Sequence, residues 1–189
     1  MVKTGLNGSA GSAYHPSMAR SLRSPRALAR WRRRALAEMH RSRAATLALL
    51  AGIPEAAILR PRTQGAWSIK DVLTHVAAWE EEGTRRLRLI ARGQARRMVW
   101  YETMADADRF NARAVRLARR ASLRGVLGRL ARARAALAGA LRRLRPRALG
   151  DPAHELPVTV WLREFAWTHE TGHRREIRAW WRRARARRH

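Results

Sequence analysis

Two histidines four residues apart, His169 and His173, stand in a segment whose apolar positions Leu162, Phe165, Ala166, Ile177 and Trp180 recur at intervals of three and four. If that segment is a helix, both imidazoles share its apolar face, about 6 Å apart along the axis, so rings on consecutive turns can bind one ion. A third histidine, His75, lies between Val72 and Trp79 on the equivalent inward face of an earlier segment. Three inward imidazoles, two from one helix and one from another, form a facial set of nitrogen donors. Such a set suits a divalent transition metal, zinc, nickel or iron, and leaves positions for water or substrate. The competing reading is three hydrogen-bonded core histidines. Each would then need its own buried partner or incur a desolvation penalty.

Residues around the pair bear on the same chemistry. His169-Glu170-Thr171-Gly172-His173 matches the H-E-x-x-H pattern of zinc proteases. A metzincin continuation would need Gly and His where this chain has Glu176 and Ala179, and the upstream chain offers no sheet, so the protease reading fails. Glu170 remains the candidate catalytic residue, as a general base or as a residue supporting a ligand from behind, the alternative being an exposed helix glutamate. Glu176, one turn after His173, could orient that imidazole through its second nitrogen, though a salt bridge with a neighbouring arginine is the simpler expectation. Gly172 costs roughly 1 kcal/mol against alanine in mid-helix and could admit a neighbouring helix or a ligand. Trp79 and Trp180 lie on the ligand-bearing faces and could wall a pocket. His15, His40, His154 and His189 lack a partner pattern, and only His154 precedes the last helix closely enough to reach the site.

The elements that must position these residues are all helical. Residues 1–25, rich in Gly, Ser and Ala and bearing only basic charge, are expected to form a disordered extension, with Met18 a possible alternative start. A first helix runs from about 26 to 51, closed by Gly52 and Pro54. The second opens at Ser68, with Asp71 completing a capping box and Trp67 stapling onto Val72, and runs to about 92. Residues 94–104 read as a connection and 106–120 as a short helix opened by acidic residues. Ser122 caps the longest pattern, in which Leu123, Leu127, Leu130, Leu137, Leu141 and Leu144 follow spacings of four and three, interrupted at Arg134. A last helix runs from Val158 to the Arg-rich end. With no convincing strand, the fold class is an all-α bundle, spanning residues 26–182 between the extension and a tail at 183–189.

Composition narrows the functional classes. The chain of 189 residues has no cysteine, which excludes disulfides and thiolate ligands and leaves nitrogen and oxygen donors for any metal. Its formal charge of +27 would ordinarily point to phosphate-rich partners. Only Lys3 and Lys70 are lysines, and so arginine-heavy a composition, with its abundant alanine, fits a high-GC coding bias as well as it fits a binding surface. No zinc-finger spacing, aromatic platform or helix-turn-helix accompanies the charge, so no specific nucleic acid is expected. No signal-peptide core or membrane-length apolar run is present. A cytoplasmic monomer or homodimer, without a membrane partner, is the expectation.

Three stretches resemble a known family. Gly65 to Glu80 (GAWSIKDVLTHVAAWE) is similar to the GWS-x-(K/R)-(D/E)-x-x-x-H-x-x-x-W-(E/D) element of DinB-like proteins. Asp106 to Asn111 (DADRFN) resembles the D-x-D-x-F-N element of relatives of ClbS and DfsB, and His169 to Trp180 (HETGHRREIRAW) resembles the H-x-x-x-H-x-x-x-I-x-x-W end. The three appear in family order, and the resemblance covers roughly residues 26 to 181. The resemblance implies a DinB-like four-helix bundle with a long connection between helices two and three, and His75, His169 and His173 as metal ligands. It leaves the reaction open. One expectation is a metal-dependent thiol transferase or hydrolase acting on a small electrophilic or toxic molecule, with a low-molecular-weight thiol as possible co-substrate. A non-catalytic small-molecule-binding or self-resistance protein is the alternative, and a basic nucleic-acid-associated protein a further one.

Overall fold

The computed structural model describes residues 24–98, 100, 103–151 and 153–187. The expected extension at 1–25 lies outside the described residues except for Ser24 and Pro25, as does the end of the basic tail. Four long helices make the bundle: α1 (Pro25–Ala51), α3 (Ile69–Ala91), α5 (Leu123–Arg143) and α7 (Trp167–Ala186). Shorter helices fill the connections, α2 (Glu55–Leu59), α4 (Met104–Leu117) and α6 (Val158–Phe165), together with 3-10 turns at Ala95–Arg97 and Pro146–Leu149. Among the described residues there is no strand, only an isolated bridge between Gln64 and Trp67, and no helix is long and apolar enough to cross a membrane.

Local chemistry sets the helix starts. Ser24 caps α1 ahead of Pro25 at its first turn, and Ser68 and Asp71 form the capping box expected at α3. The short helix of the connection begins earlier than Asp106: Thr103 caps α4 and Asp106 returns to the Thr103 backbone as the third residue of a second capping box. The last helix is not continuous. At Ala166 the backbone leaves the helical region (φ −119°, ψ −93°), dividing the expected segment into α6 and α7. No proline or glycine marks that break, and the apolar period runs straight across it.

Within the bundle α3 packs along α5 and α1 along α7, with α4 lying against α3. Gly83 permits close approach of α3 to α5, since a Cβ there would stand 3.2 Å from Leu137 Cδ1. The apolar interior falls into two clusters. One gathers Leu28, Met39, Leu87, Leu137, Leu141, Trp161 and Phe165; the other gathers Leu50, Ile69, Val72, Leu73, Val126, Leu130 and Ile177. Between them each long helix contributes one charged residue to a buried layer: Arg43 from α1, Glu80 from α3, Arg134 from α5 and Glu170 from α7.

Candidate metal centre

His75 occupies the second turn of α3 and is 1% exposed. His169 and His173 occupy the first two turns of α7, so the break at Ala166 lies one turn before the pair and aims it. Their rings meet that of His75 edge to face, with centroids 4.6 Å (His169) and 5.1 Å (His173) from it and 4.7 Å from each other. His75 Nε2 is 2.7 Å from His169 Nε2, which is 3.0 Å from His173 Nε2. The three ligand atoms form a group within 4.8 Å that could hold one ion.

The donor set fits a metal on electronic grounds as well as on spacing. Nitrogens about 2.0–2.1 Å from one ion stand about 2.9–3.4 Å apart in octahedral or tetrahedral arrangement, close to what is observed. Glu176 Oε2 lies 3.1 Å from His173 Nδ1, so Nδ1 donates to the carboxylate, which in the neutral ring leaves the Nε2 lone pair for the centre. A ring nitrogen carries one proton or one lone pair, which leaves His169 Nε2 unable to make a normal hydrogen bond to both neighbours; a shared cation satisfies all three. Electrostatics keep the His75 and His169 rings neutral and therefore able to ligate. Burial, with a smaller contribution from His173, lowers the pKa of His75 to about 3 against the opposing effect of a hydrogen bond to Asn111. Burial, and then the repulsion that a protonated His169 would meet from a protonated His75 or His173, hold His169 well below its ordinary value.

Aromatic rings close the site. Trp67 lies 5.0 Å from the His75 ring and Trp79 lies 6.4 Å from His75 and 6.3 Å from His169. Trp79 is fixed in turn by Phe110 and Phe165 and by its Nε1–H, which donates to Asn111 Oδ1 at 2.9 Å. The F-N pair of the connecting helix thus holds the wall of the triad. Trp180 lines a neighbouring cleft together with Glu176.

Other candidate residues lie elsewhere or act differently. Glu170 is buried, with Oε1 accepting from Arg43 at 2.7 Å and Oε2 from Arg134 at 2.7 Å and Ser42 at 3.0 Å. Burial pushes its carboxyl up, but the two guanidiniums and these hydrogen bonds outweigh that and hold it below the usual carboxylate range. Neither oxygen is left for a general base, and the residue belongs to the charged layer rather than the triad. Glu176 pairs with His173, and among the described residues no ion pair joins it to an arginine. His154 lies 3.8 Å from Asp151 and His40 is exposed, both apart from the triad; His15 and His189 lie outside the described residues. Sequence reasoning missed the partners of Glu170. Arg134 had left a trace as the interruption in the leucine row, whereas Arg43 is one of several arginines in α1 and carries no such mark.

No curated protein and no solved structure matches the chain at a significant level. A family profile described as the DinB superfamily does, over residues 38–177. Because that match covers more than half of the sequence and runs from α1 through the segment bearing His173, taking in all three converging histidines, the chain belongs to the DinB superfamily.

Proposed function

We propose that this DinB-superfamily protein binds one divalent transition metal, zinc, nickel or iron, through His75, His169 and His173, and uses it to transform a small electrophilic or toxic molecule by thiol transfer or hydrolysis. The observation that carries the reading is the convergence of three ring nitrogens whose close contacts cannot all be satisfied by hydrogen bonds. A bound metal would supply Lewis-acid polarisation of a substrate or activation of a water or thiol. The chain's own residues do the rest. Glu176 holds the His173 tautomer, Trp67 and Trp79 shield the inner side of the rings from water, and Glu170 anchors the start of α7 through Arg43 and Arg134.

Metal analysis of protein purified without a histidine tag tests the first half. Roughly one equivalent of transition metal, lost in His169→Ala and in His173→Ala, is the expected result; a protein that takes up none overturns the reading. Turnover of a thiol with an electrophile, abolished in His75→Ala, tests the second. Tight ligand binding without turnover would replace the enzyme with a sequestering protein built on the same centre.

A further inference from the structure

Beside the triad runs a cleft of about 400 Å³, lined by Thr63, Gln64, Gly65, Glu176, Ala179, Trp180 and Arg183. Both of its walls continue directly from the metal centre. Gln64 and Trp67 exchange backbone hydrogen bonds of 2.9 and 3.1 Å, so the turn that presents Trp67 to His75 also presents Gln64 to the cleft. On the other side His169, Gly172, Glu176, Ala179 and Arg183 follow one another at spacings of three and four along α7, which places them in one row. The small residues keep this row open: nothing lies within 4 Å of where a Gly172 Cβ would be.

The chemistry of the lining has a direction. At the triad end Glu176 is bound to His173 and repels a second anion. Two turns along, about 10 Å by helical rise, Arg183 offers a guanidinium that has no ion pair among the described residues. Thr63 and Gln64, each 8% exposed, carry a hydroxyl and an amide nitrogen without a hydrogen-bond partner. A buried donor left in that state costs about 1–3 kcal/mol, a penalty that an acceptor in the cleft would relieve once either side chain turns its donor outward. Trp180 supplies an aromatic wall between the two ends.

We propose that this cleft is the ligand subsite of the metal centre. It takes an elongated small molecule whose carboxylate or comparable anionic end rests on Arg183, Gln64 and Thr63, with the opposite end presented to the three histidines. The inference rests on the metal-centre reading for the far end only; the anion-holding end stands on the cleft itself.

The test uses hexanoate, a monocarboxylate with an uncharged tail, against hexanamide, titrated calorimetrically into the full chain at moderate salt, once metal-free and once zinc-loaded. Hexanoate should bind about tenfold or more tightly than the amide, the scale of one charge-assisted hydrogen bond. Arg183→Gln should remove that preference without changing amide binding. Gln64→Leu should weaken hexanoate, Ala179→Trp should block both probes, and Arg182→Gln, on the neighbouring exposed position, should change neither. Equal effects of Arg183→Gln and Arg182→Gln would reduce the preference to general attraction by a basic surface and overturn the proposal, as would unchanged binding in Ala179→Trp. An Arg183-dependent preference in a protein that takes up no zinc supports the cleft while sinking the metal reading. Zinc uptake with binding indifferent to Arg183 sinks the cleft alone.

Discussion

His173 shows how one contact prepares a core histidine to act as a ligand. Its Nδ1 donates to Glu176, an exposed glutamate on the next turn, and the ring is thereby fixed with its other nitrogen at the shared centre. Replacing Glu176 with leucine should weaken zinc affinity by about 10- to 100-fold, the usual effect of losing such an orienting partner, and competition with a chromophoric chelator would measure it. A loss below twofold would show that packing alone orients the ring. His75 carries a second prediction. Its folded pKa of about 3 lies below the ordinary 6.5, because burial excludes the charged form. Between those values the unfolded chain binds more protons than the folded one, so the stability of the metal-free protein is greatest above pH 6.5 and falls as pH drops towards about 3. The limiting slope is about 1.4 kcal/mol per pH unit for each such histidine. Urea midpoints of the metal-free protein should therefore decline from pH 7 to pH 5, and less steeply in His75→Leu. A midpoint that rises on acidification would contradict the assignment of neutral buried rings.

Helices meet in this bundle through a charged layer as well as through apolar faces. Arg43 joins Glu80 at 2.9 Å and Glu170 at 2.7 Å, and Arg134 joins the same two glutamates, so α1, α3, α5 and α7 are tied at one level between two apolar clusters. Removing one member leaves a buried charge without compensation. Arg134→Met should destabilise by about 3–5 kcal/mol, whereas Arg129→Met, which breaks the partly exposed pair with Glu81, should fall within about 1 kcal/mol. Denaturant midpoints compare the two, and equal losses would show that the buried layer confers nothing special. The same layer marks the limit of what the sequence discloses. Apolar spacing made the four long helices legible, and the inward faces of two of them made the triad legible, because a period of 3.6 residues converts directly into sides of a helix. Which buried charges pair depends on helices from opposite ends of the chain lying side by side, and no local pattern encodes that. The break at Ala166 stayed hidden for a related reason. Leu162, Phe165, His169 and His173 keep an unbroken spacing across it, while α6 packs its Trp161, Leu162 and Phe165 into the first apolar cluster, a contact that no local pattern announces.

Across the whole molecule the charge of +27 stands apart from the site. Its arginines are spread over several helices: Arg33 and Arg34 on α1, Arg124 and Arg132 on α5, and Arg175 and Arg178 on α7 are all exposed. A dispersed coat attracts phosphate backbones through release of their counterions, and such binding depends steeply on salt and little on base sequence. Specific recognition would require a few side chains reaching base edges from one element seated in a groove. We therefore expect duplex DNA to associate with the protein at about 50 mM salt and to lose most of that affinity by about 200 mM, equally for unrelated sequences. Because the three histidines sit inside the bundle and contribute nothing to the coat, His75→Ala should leave this association unchanged while abolishing metal uptake. Fluorescence anisotropy across a salt series, with two unrelated duplexes and both proteins, makes the comparison. Binding that survives 200 mM salt and favours one duplex, or that disappears with His75, would tie the basic surface to the function and displace the small-molecule reading of the site.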